Sequence, residues 1–219
     1  MKDFFTSFYF IAPLCIVAIA LGIYIISKST RNLIYTNLSQ RSNKGVGYIY
    51  DILSTQYPSP KVLKDALIVP ADILKDDPGI KPSSDIIFVN KCGVLLITVI
   101  TDKGEFDNPK TGEWRYRFVD GDGKVQVQKK INPFDSTIPQ IRIVSDILKK
   151  EGIYSKCIKR LVVYTQNKIR FTYNYSEIIS IDKLISAIDS MNLKNELTPS
   201  EARVAFRAIT KYSNSLKSN

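Results

Sequence analysis

The sequence contains no histidine, and this absence excludes several catalytic designs at once. Ser-His-Asp triads, Cys-His dyads and zinc sites of the common Cys/His kind all need an imidazole. Only three cysteines occur among 219 residues, Cys15, Cys92 and Cys157, and their spacing fits neither a metal site nor a disulfide framework. Cysteines this sparse, and odd in number, indicate that the folded part of the chain lies in a reducing compartment.

Charge is missing from residues 4–26, FFTSFYFIAPLCIVAIALGIYII. At 1.5 Å per residue this run reaches about 34 Å as a helix, enough to cross a hydrocarbon core of roughly 30 Å. A cleaved signal peptide is the competing interpretation, but its apolar core would run only about 7 to 15 residues and end in a small-x-small site. We therefore predict one N-terminal transmembrane anchor within residues 1–28, with residues 29–43 as a juxtamembrane connector.

The flanks of this segment predict its orientation. The N-terminal side has one lysine and one aspartate, whereas four cations follow the segment, Lys28, Arg31, Arg41 and Lys44. Cytoplasmic flanks carry the excess of Lys and Arg. We expect a single-pass protein of the cell membrane with its N-terminus outside and its soluble domain in the cytoplasm.

Hydrophobic patterning predicts a mixed α/β domain after the connector. A helix is expected over residues 45–57 and a short strand over 64–70. SDIIFVN and GVLLITVIT read as adjacent strands joined by a tight turn in which Gly93 supplies the unusual backbone angle, and the second strand is apolar enough to be buried on both faces.

The second half of the chain continues this pattern. EWRYRFV and KVQVQKKI predict a hairpin, Pro139 begins a helix that runs to about Lys150, and LVVYTQ and IRFTYNY predict two further strands. Two short helices are expected in the tail, over residues 182–191 and from a capping box at Thr198. This order predicts an α/β mixed sheet flanked by helices around one core.

Glycines, polar residues and one tryptophan stand as landmarks at spaced positions along this order: Gly45, Asp85, Gly93, Lys103-Gly104, Trp114, Asn132-Pro133 and Gln140. With these residues on it, the order of elements resembles the NERD (nuclease-related) domain family over roughly residues 44–165. The resemblance implies a restriction-endonuclease-like fold of the PD-(D/E)xK type. It also implies catalytic roles for Asp85 and Gln140, with Asp85 as a metal ligand.

The chain departs from the family at the positions that carry the chemistry. The family has a Gly-Glu pair at the first helix, where this chain has Gly45-Val46. The family strand carries a glutamate and a lysine where this chain has Thr98 and Ile100. Phosphodiester hydrolysis in this fold needs Mg²⁺ or Mn²⁺ held by carboxylates, and loss of one catalytic electrostatic partner commonly costs several powers of ten in rate. We therefore expect a degenerate site with no cofactor.

Two alternatives for the local chemistry stay open. A displaced metal site could use Asp85 with Asp102 or Glu105 and Lys103, although Asp102 would lie about 13 Å along the strand from Thr98. Asp85 could instead cap or turn the chain into its strand, as short polar residues do.

The net charge of +10 is unevenly distributed. Residues 61–123 hold 9 basic and 11 acidic residues, whereas residues 124–170 hold 11 basic and 3 acidic ones. The candidate binding residues in this basic stretch are Lys129, Lys130, Arg142, Lys149, Lys150, Lys159 and Arg160. Nucleic acid and anionic lipid are both suitable partners for such a surface, and ordinary solvated lysines are the third interpretation.

Taken together, the sequence predicts a NERD-like domain over residues 44–170 and a C-terminal helical appendage over residues 171–219. The function expected is that of a membrane-anchored, catalytically degenerate module that binds nucleic acid or another macromolecule. The alternatives are an active metal-dependent nuclease with a displaced site and a protein-interaction scaffold at the membrane.

Overall fold

The computed structural model describes residues 45–57, 61–67, 83–153, 157–192 and 196–217. The predicted transmembrane segment and connector lie outside these residues. Within the described ranges, no helix combines the length and the apolar character that a membrane span needs. The described residues belong to one compact unit, Lys44–Asn219.

The unit is a mixed α/β structure with two sheets and flanking helices. In chain order its elements are α1 (Val46–Gln56), β1 (Lys61–Leu67), β2 (Ser83–Asn90), β3 (Gly93–Ile100), β4 (Gly104–Asp107), β5 (Trp114–Val119), β6 (Val125–Lys130), α2 (Pro133–Ser136), α3 (Ile138–Lys150), β7 (Ile158–Tyr164), β8 (Ile169–Phe171), β9 (Ile178–Ser180), a 3₁₀ turn (Ile181–Lys183), α4 (Leu184–Asn192) and α5 (Pro199–Lys217).

The first sheet has five strands in the order β1-β2-β3-β7-β9. β1, β2 and β3 form an antiparallel meander, and β7 and β9 then add in parallel. Seven of the eight residues of β3 are buried, because β3 is the central strand and helices cover the sheet. The predicted adjacency of β2 and β3 and the burial of both faces of β3 are confirmed.

One face of this sheet packs under α3 and α5. Its strands contribute Val94 and Leu96, α3 contributes Val144 and Leu148, and α5 contributes Ala205 and Ile209, all in one buried cluster. On the opposite face, the Tyr57 ring at the end of α1 lies 5.4 Å from the Phe88 ring. The two helices α3 and α5 therefore form one layer whose outer surface faces solvent.

The second sheet has four strands in the order β6-β5-β4-β8. Its inner face is aromatic, because Phe106, Trp114 and Tyr116 pack with Phe134 of α2 and with Ile100 of β3 in one buried cluster. The end of β3 thus inserts into the core of the second sheet.

Two glycines allow close approaches that fix this arrangement. Gly93 has φ 110°, and a Cβ there would lie 2.0 Å from the carbonyl oxygen of Cys157. Gly104 has φ 148°, and a Cβ there would lie 2.4 Å from the carbonyl oxygen of Arg117. Because L side chains rarely adopt these angles, both positions need glycine.

Several boundaries differ from those predicted. The strand expected over residues 64–70 is β1, Lys61–Leu67, and the strand expected over IRFTYNY is only Ile169–Phe171. The last helix, predicted as short, has 19 residues. The residues after 170 contribute β9 to the first sheet and α5 to its helical layer, so they complete the same core.

Candidate functional site

The carboxylate of Asp85 lies beside Thr98, one of the two β3 residues on which the sequence resemblance focuses. The antiparallel register pairs Ile86 with Ile97, which sets Asp85 opposite Thr98. Asp85 is half-buried, and its Oδ2 accepts a hydrogen bond from the backbone N–H of Val99 at 2.7 Å. The carboxylate therefore satisfies a backbone donor of β3 at the point where pairing with β2 ends.

Thr98 and Ile100 project from the same face of β3, because side chains alternate along a strand. Thr98 is 5% exposed and Ile100 is 7% exposed. Ile100 packs in the aromatic cluster with Trp114 and Phe134, whose rings lie 5.9 Å apart. This apolar environment suits an aliphatic side chain and opposes a lysine ammonium.

The start of α1 lies at the same end of the sheet. A Cβ added to Gly45 would lie 3.9 Å from Cγ2 of Thr101, just past the end of β3. Val46 is the first residue of α1, and the first turn of the helix has no acidic residue. Val46, Thr98 and Ile100 thus lie around the end of one strand.

The acids that could have formed a displaced site are paired with cations instead. Asp102 forms an ion pair with Lys130 at 3.2 Å, and Glu105 forms ion pairs with Arg170 and Arg117 at 3.5 and 3.8 Å. Within the described ranges, no group of three or more His, Cys, Asp or Glu residues could hold a metal ion.

Gln140 points into the core. It is 1% exposed and shares one face of α3 with Val144 and Leu148, at a spacing of four residues. Gln140 therefore lies on the buried side of α3, away from its outer surface.

Two buried thiols are also poor nucleophiles. Burial raises the pKa of Cys92 to about 11, against the lowering effect of the nearby Lys159 ammonium. Burial likewise raises the pKa of Cys157. Since the thiolate is the reactive form, neither residue is suited to thiolate chemistry near neutral pH.

Four of the seven predicted binding cations make contacts within the domain. Lys129 pairs with Glu113 at 3.0 Å, and Lys130 pairs with Asp102 and lies 5.0 Å from the centre of the Tyr116 ring. Lys159 donates to the carbonyl of Cys92 and to Glu196, both at 3.1 Å. Arg160 donates to the carbonyl of Phe134 at 2.8 Å and stacks 4.8 Å from that ring's centre.

The other three cations, Arg142, Lys149 and Lys150, are exposed on α3. The neighbouring helix α5 adds three exposed cations at a spacing of four residues, Arg203, Arg207 and Lys211. Sequence reasoning missed this second set, although its i, i+4, i+8 spacing was visible as a stripe on one helix face. We call these six residues the helical basic face.

The helical basic face has little acidic compensation. Asp146 and Glu201 are the two acidic residues within α3 and α5. Glu201 is bound to Thr198 in the capping box, and Asp146 lies 3.8 Å from Lys149. Apart from that contact, the described residues provide no ion-pair partner for the six cations. The outer surface of this helical layer is therefore suited to a polyanion.

Comparison of the chain with protein-family models, with curated proteins and with solved structures gives no match.

Proposed function

We propose that this chain is a degenerate nuclease-related domain that binds nucleic acid without cutting it, and that residues 4–26 anchor it to a membrane. This proposal assumes that the domain is NERD-like and that it has a restriction-endonuclease-like fold. The sequence resemblance supports both assumptions, and so does the order α1-β1-β2-β3-α3-β7, in which an antiparallel meander is followed by a helix and a parallel strand.

The environment of β3 is the observation that supports the absence of cleavage in this proposal. Ile100 fills an apolar cluster where the family has a lysine, and buried Thr98 stands opposite Asp85 where the family has a glutamate. Asp85 already accepts a hydrogen bond from a backbone N–H, and no group of three or more His, Cys, Asp or Glu among the described residues could hold a metal ion, whereas Mg²⁺ is usually held by one or two carboxylates together with water and phosphate.

The helical basic face supports the proposal that the chain binds nucleic acid. Lys and Arg side chains that contact phosphates release condensed counterions, which gives affinity without sequence specificity. Six exposed cations on two packed helices, with only one nearby acid in contact, provide such a surface.

The test is a salt titration of binding with the full chain in nanodiscs of zwitterionic lipid. We expect affinity for duplex DNA or RNA that falls steeply as salt increases, with the nucleic acid recovered intact in the presence of Mg²⁺ or Mn²⁺. The triple variant Arg142→Glu, Arg203→Glu, Arg207→Glu should weaken binding at least tenfold and reduce the slope of log K against log salt by about 2 to 3.

A matched control variant distinguishes the effect of the helical basic face on binding from the effect of the net charge. Lys124→Glu, Lys168→Glu, Lys183→Glu changes the net charge by the same amount at three exposed lysines outside α3 and α5. We expect this control to bind within about threefold of the parent. Equal losses in both triple variants, or no binding at low salt, would refute the helical basic face as a nucleic-acid surface. Binding seen only to phosphatidylserine nanodiscs would assign the face to lipid.

A further inference from the structure

Among the described residues, no strand pairs with the outer edge of β6 in the second sheet. β6 is the last strand in the order β6-β5-β4-β8. Its residues from Val125 to Lys129 are all exposed, including Val125 at 63% and Val127 at 59%, and Val119 on the paired strand is 65% exposed. Exposed valines along an unpaired edge are a template for another strand.

The hairpin pattern shows which backbone groups point outward. The backbone N–H of Asp120 donates to the carbonyl of Lys124 at 2.9 Å, so this opposed pair is hydrogen-bonded. Hydrogen-bonded and non-hydrogen-bonded pairs alternate in an antiparallel ladder. Val125 and Val127 therefore direct their N–H and C=O groups away from β5, towards the open edge.

We propose that this edge pairs with the same edge of a second copy of the chain, antiparallel, with Gln126 on the two-fold axis. Val125 then lies opposite Val127 of the second copy in two hydrogen-bonded pairs, and the four valines form one apolar patch. Lys124 lies opposite Gln128, and Lys130 lies opposite Asp122 in the adjoining turn. The match of apolar with apolar residues, with no like charges opposed, is what favours a second copy as the occupant.

Neighbouring registers fit less well. With Val127 on the axis, Lys124 would face Lys130 and Val125 would face Lys129, which sets like charges against each other. With Val125 on the axis, Val127 would face Gly123 in the turn, whose φ is 78°. The register centred on Gln126 alone among the three joins all four valines without opposing like charges.

Two lysines near the end of β6 do not block this edge. Lysines often protect sheet edges from association. Here Lys129 is held by Glu113 and Lys130 by Asp102 within the same chain. Pairing of one short strand is a small interface of the weak, transient class. The predicted membrane anchor would raise the local concentration of one copy near another. This inference concerns self-association and goes beyond the proposed binding of nucleic acid.

The test is disulfide crosslinking of the full chain reconstituted in lipid vesicles. Gln126→Cys is introduced together with Cys15→Ser, while Cys92 and Cys157 are buried. In the proposed register residue 126 faces itself in a non-hydrogen-bonded pair, with Cα atoms about 4.5 Å apart, within the range that a disulfide spans. We expect copper-phenanthroline to convert Gln126→Cys to a covalent dimer at least fivefold faster than Gln128→Cys.

Gln128→Cys is the matched control, because it has the same residue type on the same strand face but lies about 13 Å from its copy in the proposed register. Adding Val127→Lys to the Gln126→Cys protein should abolish the crosslink while buried Trp114 keeps its fluorescence, which shows that the domain is folded. Equal rates at residues 126, 127 and 128, faster crosslinking of Val127→Cys, insensitivity to Val127→Lys in the folded protein, or no dimer at all would each overturn the proposal.

Discussion

Oδ2 of Asp85 lies 2.7 Å from the backbone nitrogen of Val99, so the carboxylate of β2 binds the strand that it faces. The partner, Val99, is the residue between Thr98 and Ile100 on β3. Asp85 therefore has a structural role in the pairing of β2 with β3 that does not depend on a metal ion.

The first prediction concerns this hydrogen bond. Hydrogen bonds to charged groups contribute about 1.5–3 kcal/mol. We expect Asp85→Ala to lower the free energy of unfolding by about 1–3 kcal/mol and Asp85→Asn to lower it by less, because the amide oxygen still accepts. The measurement is urea unfolding of the full chain in detergent micelles, followed by the fluorescence of Trp114. Asp107→Ala, at an exposed acid, should change stability by no more than about 0.5 kcal/mol.

The difference in unfolding free energy between Asp85→Ala and Asp107→Ala tests whether Asp85 contributes to stability. Equal stability of Asp85→Ala and the parent chain would show that the contact with Val99 does not contribute to folding.

The second prediction concerns the apolar environment of Ile100. Ile100→Val should cost about 0.5–1.5 kcal/mol through lost contacts in the aromatic cluster. Ile100→Lys should cost several kcal/mol, because an unpaired ammonium would be buried. The same urea titration measures both, and Thr101→Lys at the adjacent exposed position serves as the control, with little change expected.

A stable Ile100→Lys variant would contradict this account of β3. It would mean that position 100 can accommodate a charged side chain and that the aromatic cluster does not exclude a lysine there.

The third prediction concerns pH and the pair of Lys110 with Glu177. A hydrogen bond from Lys110, with 2.8 Å between Nζ and Oε1, holds the pKa of the Glu177 carboxyl below its usual value of 4.5. A depressed carboxyl pKa contributes stability above the usual value, and this stability is lost as the pH falls through the folded-state pKa. Lys110→Met should therefore destabilise the domain near pH 7, and its difference from the parent should shrink below pH 4.5.

Unfolding titrations at a series of pH values from 7 to 3 measure this difference. Lys110 also lies 5.0 Å from the centre of the Tyr175 ring and 5.3 Å from that of Phe134, so some loss that does not depend on pH is expected as well. Lys168→Met, at an exposed lysine, should show no such pH dependence. A difference between Lys110→Met and the parent that stays constant with pH would rule out the linkage to Glu177.

Local patterns in the sequence predict much of the fold. The glycine turn between β2 and β3, the β5–β6 hairpin, the helix beginning near Pro139 and the capping box at Thr198 are all confirmed. Each depends on residues close together in the chain. By contrast, the short strands β4 and β9 were not predicted, and β8 is shorter than the strand expected over IRFTYNY, because these strands exist through pairing with distant strands.

In the candidate site, too, the features that depend on local sequence could be predicted and those that depend on distant contacts could not. The alignment on Gly93 and Gly104 places Thr98 and Ile100 on the strand, and the structure confirms that they lie on β3. The contact of Asp85 with Val99 could not be predicted, because it depends on the register of two strands. Likewise, the helical basic face arises from the packing of α3 with α5, two helices separated by about 50 residues of sequence.

A cleavage assay tests most directly the central proposal, that this chain does not cut nucleic acid. The full chain in zwitterionic nanodiscs is incubated with end-labelled DNA and RNA in Mg²⁺ and, separately, Mn²⁺, beside Asp85→Ala prepared in the same way. We expect neither protein to cut above the level of empty nanodiscs. Metal-dependent cleavage by the parent chain that disappears in Asp85→Ala would contradict the account and establish an active site around Asp85.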